Sequence, residues 1–288
     1  MAAPAHPYRR PLLALILLSP VIAEMLSGST PPLEWLNPIT PLLLIWLYGS
    51  GVLVMRETAV RWKTGWPGIL LLGAAYGIIE EGLAVKSFFD PGWMDLGTLG
   101  WYGRWLDVNW VWAVWLTIYH AVVSIAIPIF LVECGAGAAV AFLVWAAKKY
   151  AGVLWARLPS RKDPRSPRVY ALAGFGFLMG SFLLYGGGPF FGVIPAITIL
   201  EGIAVLVGVM LLVRRTSDDP ARWARQRFAF VAGAMGFLIV LAAFLELAGW
   251  RGMGIVGAAF AFLMVRLYRR SSPATDVAAV ARSEPAVP

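Results

Sequence analysis

The chain has 288 residues, of which 59% are hydrophobic and 14% charged, against roughly 25% charged in a soluble domain, so no soluble domain of ordinary size fits between its apolar stretches. The net charge of +8 comes from short basic clusters set between apolar segments, a pattern that argues against a nucleic-acid surface and for membrane topology signals. One cysteine, Cys134, and two histidines, His6 and His120, exclude an internal disulfide, a multi-cysteine metal or iron–sulfur site and an HExxH zinc helix.

The first element joins Arg9 and Arg10 to the apolar run Leu12 to Ala23, where Val21-Ile22-Ala23 has the small-residue spacing of a signal-peptidase site. The run continues through Met25 and Leu26 and a second span follows at once, so an uncleaved short first helix is the favoured reading. About 20 apolar residues cross a bilayer as one helix. On that measure the candidate spans are Pro11 to Ser27, Thr40 to Val60, Trp66 to Val85, Asn109 to Val132, Tyr170 to Tyr185, Phe190 to Val213, Phe228 to Ala248 and Met253 to Leu267. Breakers stand between them at Thr30-Pro31-Pro32, Asp90-Pro91-Gly92, Gly186-Gly187-Gly188-Pro189 and Asp218-Asp219-Pro220.

The stretch Asn109 to Ala147 is too long for one crossing and short for two, and charge decides between them. One crossing, with the N-terminus inside, leaves only Lys86, Arg104 and Arg251 of the 24 Lys and Arg outside. Two would expel the cluster from Lys148 to Arg168, against the positive-inside rule. The reading is therefore an all-α, polytopic membrane protein with about eight transmembrane helices and cytoplasmic N- and C-termini. The fourth helix is kinked at Pro128, and residues 134 to 150 form a helical extension or re-entrant piece. Residues 1–270 make a single membrane domain, and the Ala-, Pro- and Ser-rich segment 271–288 is a disordered cytoplasmic tail. Trp93, Trp101, Trp105, Trp110 and Trp112 suit the outer interface as anchors, and Gly174, Gly176 and Gly180 form a small-residue stripe for close helix packing.

Ionisable groups inside bilayer helices cost about 2.5 to 3.5 kcal/mol on insertion scales, so each needs a partner, a wet cavity or a task. Glu24, Glu80, Glu81 and Glu246 fall near the outer ends of their spans and Glu201 near the middle of its own. His120 lies roughly 16 Å below the start of the fourth. This shared height allows Glu80 or Glu81, His120, Glu201 and Glu24 to converge on one cavity open to the outer face. Glu80 and Glu81 differ by about 100° around a helix, so one is expected to face the cavity while the other meets a neighbour. Lys86 stands where it can neutralise Glu81. Ser124, one turn after His120, shares its face and is placed to orient the imidazole, whereas Tyr119 is read as pointing elsewhere. Each polar group also has a structural reading, as an interhelical hydrogen bond that specifies packing.

The Glu80-Glu81 pair in one membrane helix followed by His120 in the next resembles the CPBP family, the CAAX-protease and bacteriocin-processing intramembrane proteins. That family carries the motifs EExxxR, FxxxH and HxxxN. Val85 and Leu116 stand here at the arginine and aromatic positions, and no second membrane histidine exists. The resemblance implies an intramembrane hydrolase in which Glu80 and Glu81 take the paired-glutamate role and His120 that of the first histidine, activating water for peptide hydrolysis without metal. No cofactor and no metal is expected. The expected partners are the lipid bilayer of the cell membrane and a peptide or small-molecule substrate, without nucleic acid. A proton- or cation-coupled small-solute transporter and a non-catalytic membrane scaffold remain as alternatives.

Overall fold

The computed structural model describes residues 9–94, 96–133, 166–214 and 220–271. Its helices are α1 (Arg9–Pro20, continued by a π-helical stretch Val21–Leu26), α2 (Ile39–Trp62), α3 (Gly65–Ala84), α4 (Trp110–Glu133), α5 (Pro167–Gly187), α6 (Pro195–Arg214), α7 (Pro220–Leu247) and α8 (Met253–Ser271). Among the described residues, five are long and apolar enough to cross a membrane: α2, α3, α4, α5 and the Arg225–Leu247 portion of α7. Pro11–Leu26 and Pro195–Gly208 are shorter apolar helices. Large apolar side chains such as Leu42, Leu43, Trp46, Leu83, Phe244 and Phe262 stand exposed, which suits hydrocarbon as solvent. Helices are what such a solvent permits, because every backbone N–H and C=O must find its partner within the segment.

Three of the long helices depart from α geometry along part of their length. α2 turns π-helical at Ile45–Gly49, α3 at Ile78–Ala84 and α4 at His120–Ala126, as α1 does at its end. Local causes are visible at two of them. Pro20 stands immediately before the π stretch of α1. In α4, Pro128 has no N–H to give the Ser124 carbonyl, and the Ser19 hydroxyl of α1 donates to that oxygen at 2.7 Å instead. The irregularity expected at Pro128 is thus a π stretch just before the proline, closed by a neighbouring helix.

Glycines set how closely two pairs of helices approach. A Cβ at Gly73 would stand 2.8 Å from Ala121 Cα, and one at Gly77 2.8 Å from His120 Cβ, so α3 and α4 meet nearly backbone to backbone beside His120. On the far side, a Cβ at Gly174 of α5 would lie 1.9 Å from the Phe230 carbonyl oxygen of α7, and one at Gly233 1.9 Å from that of Ala171. Gly176 and Gly180 face no atom within 4 Å, so of the expected glycine stripe only Gly174 makes the close approach.

The connection between α3 and α4 is ordered. A two-stranded ribbon, β1 (Arg104–Trp105) and β2 (Val108–Asn109), pairs antiparallel with Trp105 opposite Val108. Its two-residue turn, Leu106-Asp107, has both φ values positive, the geometry that matches strand twist in tight hairpins. Arg104 ties the loop together by donating to the carbonyls of Gly100, Phe89 and Asp107. Asn109 caps α4 by accepting from the Trp112 N–H at 3.0 Å.

Two expectations change. The sixth helix starts at Pro195 rather than Phe190, because the chain turns through residues 188–192 first and Gly192 takes a left-handed conformation. Trp112 is buried rather than anchored in an interface. Cys134, the segment 134–150 and the tail beyond Ser271 lie outside the described residues.

Candidate functional site

The π-helical stretch that ends α3 carries Glu80 and Glu81, and both side chains turn inward against α4. His120, the first residue of the π stretch of α4, receives them, and Gly77 leaves the ring the space to do so. His120 Nε2 lies 3.0 Å from Glu81 Oε1, and Nδ1 lies 3.3 Å from Glu80 Oε2. Ser124 Oγ takes the hydrogen-bonding position on Nδ1 at 3.0 Å. Glu80 Oε2 is consequently left without a hydrogen-bond partner among the described residues. Glu80, His120 and Ser124 are at most 3% exposed and Glu81 8%, so the cluster is shut off from bulk solvent.

Glu81 is held from behind. The Ser87 hydroxyl donates to Glu81 Oε2, and the Trp112 indole N–H donates to Ser87 Oγ at 3.1 Å. The ring of His120 is fixed by aromatics as well. Tyr48 stacks on it at 5.9 Å between centroids, while Tyr76 and Tyr119 present edges at 5.8 Å. Tyr48 links this layer to the π stretch of α1, donating to Glu24 Oε1 at 2.5 Å, and the Thr30 hydroxyl donates to Glu24 Oε2 at 2.7 Å.

These groups line a cavity of about 380 Å³. Its floor is Glu24, Tyr48, Glu80, Glu81, Tyr119 and His120; its apolar wall comes from Leu178 and Phe182 of α5 with Phe237, Leu238 and Leu241 of α7. Ser29, Thr30 and Glu34 after α1, and Trp93 and Met94 after α3, form the mouth. The residues that α1 to α4 contribute run from the end of the molecule where α1 and α3 finish and α2 and α4 begin down to about the middle of α2 and α4, where Tyr48 and His120 stand.

Of the seven residues that the sequence marks, the structure brings together Glu80, Glu81, His120, Ser124 and Glu24. It does not bring in Glu201 or Lys86. Glu201 sits on α6, where Gly202 packs against the Tyr185 hydroxyl, and it is not among the cavity's lining residues. Lys86 is exposed with a left-handed φ of 63°, and no ion pair joins it to Glu81 among the described residues. Glu246 accepts from the Gly254 N–H at 2.9 Å, tying α7 to α8.

Two orientations differ from expectation. Glu80 and Glu81 both reach the same imidazole, because the ring offers a nitrogen to each and the carboxylates need not share one direction. Tyr119 lines the cavity beside His120 and donates to the Ala23 carbonyl at 2.5 Å. Tyr48 and Tyr76 carry no mark in the sequence. Charge is what distinguishes a residue in an apolar span, and a tyrosine lacks it. The usable signal is height, since Tyr48 falls about 13 Å below the start of α2, close to the depth of His120 in α4.

A model of an uncharacterized membrane protein family matches residues 13–283. No curated protein and no solved structure matches the chain.

Proposed function

Because the chain belongs to that uncharacterized membrane protein family, we propose a function for its buried cluster: intramembrane hydrolysis of a peptide or small-molecule amide, in the manner of the CPBP proteins it resembles. The observation that carries this reading is a histidine held between two buried carboxylates at 3.0 and 3.3 Å, on the floor of a cavity with room for water and substrate. Glu80 is the general base, since its Oε2 is the carboxylate oxygen with no hydrogen bond to give up. It takes a proton from water as the water oxygen bonds to the carbonyl carbon. His120, whose ring nitrogens rest on Glu81 and Ser124, turns one N–H from its resting partner to the carbonyl oxygen as negative charge develops there. The C–N bond then breaks as Glu80 passes its proton to the leaving nitrogen. General base catalysis of this kind contributes about 10²- to 10⁴-fold, and charge stabilisation in a dry site adds to it.

Hydrolysis is favoured over transport because two carboxylates and a serine converge on one imidazole within direct reach, which is what a general base and its orienting partners need. The eight-crossing frame with both termini in the cytoplasm of the cell would put the mouth of the cavity, and the three basic residues Lys86, Arg104 and Arg251, outside.

The test is cleavage of a fluorogenic peptide library by the full chain in proteoliposomes. Glu80→Gln and His120→Asn are expected to remove cleavage while wild-type melting behaviour persists. Cleavage that survives both substitutions would overturn the reading.

A further inference from the structure

The cavity has four carboxylates in its lining, Glu24, Glu34, Glu80 and Glu81, and among the described residues no lysine or arginine joins them. His120 supplies at most one positive charge against the four. A cleft lined by one sign of charge between low-dielectric walls focuses its field and draws in ligands of the opposite sign. The hydrolytic step uses only part of this lining. Glu80 takes the water, its Oε2 buried and without a hydrogen-bond partner among the described residues, and Glu81 is engaged by His120 and Ser87. That step gives Glu24 no task.

Glu24 is built to receive a donor. Tyr48 donates to its Oε1 at 2.5 Å and Thr30 to its Oε2 at 2.7 Å. Both oxygens therefore accept, as those of an ionised carboxylate do, and each oxygen has more than one acceptor position. The residue is half-buried and lines the cavity, so a ligand there can reach it. Tyr48 also stacks on His120 at 5.9 Å between centroids, which sets the Glu24 carboxylate one phenol ring away from the imidazole. Tyr48, Trp93, Trp115 and Tyr119 line the same space, and aromatic rings attract cations through their quadrupole. Leu178, Phe182, Phe237 and Leu241 face them as an apolar wall.

We propose that the cavity selects substrates bearing a protonated amine, received by Glu24 among these rings while an apolar neighbour lies against α5 and α7. The amine is a lysine side chain or the free N-terminus of a peptide, which share the chemistry of an alkylammonium ion. Anionic substrates are turned away by the same carboxylates, since like charges brought together oppose binding. The proposal deepens the hydrolase reading and rests on it only for the amide that is cut. Receiving the amine needs no catalysis.

The experiment is calorimetry on the full chain in detergent with four tripeptide amides, each with leucine at both ends. Their central residues are lysine, norleucine or glutamate with an acetylated N-terminus, and norleucine with a free one. At least one of the two amine-bearing peptides is expected to bind about 10-fold or more tightly than acetylated norleucine peptide, and the glutamate peptide to bind most weakly. Whichever of the two gains identifies the source of the amine. Glu24→Gln should erase the gain, Glu24→Asp should keep part of it, and Glu57→Gln, which is bonded to Arg61 at the opposite end, should leave it unchanged. Equal binding of the four peptides by the folded wild-type chain, or binding of none, overturns the proposal, and so does an amine preference that survives Glu24→Gln intact. The first of these outcomes needs only the wild-type chain, so misfolding of a variant does not shield the proposal. Amine-selective binding without cleavage of any peptide removes the hydrolase and leaves the amine site; cleavage that favours the glutamate or acetylated norleucine peptide does the reverse.

Discussion

The first four helices and the last four are built differently. Each of α1 to α4 contains a π-helical stretch, and those stretches carry Glu24, Tyr48, Glu80 with Glu81, and His120. Helices α5 to α8 run without such interruptions, and of these α5 and α7 line the cavity, with apolar side chains alone. Regular helices pack at low cost in lipid through small residues, as Gly174 and Gly233 do here. Groups that must point at one another from four helices need local re-aiming, and π turns are a recurrent means of it at functional sites. Chemistry and irregularity thus coincide in one half, while the other half supplies a wall.

The comparison breaks most directly through the carboxylates. Glu80→Gln is expected to lower cleavage by about 10²- to 10⁴-fold with little change in unfolding temperature, whereas Phe182→Ala in the opposite wall should raise KM and leave kcat nearly unaltered. A kcat loss in Phe182→Ala would show that the wall does more than hold substrate.

Packing is next in size. A Cβ at Gly174 would stand 1.9 Å from a backbone carbonyl, so Gly174→Ala should destabilise by about 1 to 3 kcal/mol through overpacking, read as a lower midpoint in steric-trap or denaturant unfolding, while residual activity per folded chain persists. Gly77→Ala, facing His120 at 2.8 Å, should cost activity as well as stability. Equal behaviour of the two would erase the distinction between site-forming and wall-forming halves.

Smaller again is Ser19→Ala, which removes the hydroxyl that serves the Ser124 carbonyl; interhelical bonds of this kind contribute about 0.6 kcal/mol, and at most about 1.7. The same unfolding measurement checks it. Glu201→Gln is expected to leave cleavage unchanged, and a large loss there would mean that α6 reaches the cavity after all.

Much of this is legible in the amino-acid sequence. The apolar runs around α2, α3, α4, α5 and α7 mark membrane helices because hydropathy over 20 residues is a property of the segment alone. The height of Glu24, Glu80, Glu81 and His120 follows from counting residues, at 1.5 Å each, down from the ends. Ser124 is found because one helical turn separates it from His120. Tyr119 and Trp112 take other orientations than their spacing suggests, and Tyr48 escapes notice, since the side on which a ring lies is set by π turns and by neighbours. Glu201 is expected from residue count at a depth like that of the cluster, and it is not among the residues that line the cavity.

The amino-acid sequence by itself determined the solvent, the helical class and the depth of each ionisable group, all of which vary along a single axis. Rotation about that axis was decided by tertiary structure, where Gly73 and Gly77 let α3 and α4 close together. Ser19 completes the interrupted α4, and Ser87 and Ser124 aim the last two side chains. Those contacts join residues as far as 105 positions apart, and which partner meets which face depends on packing that no single segment encodes.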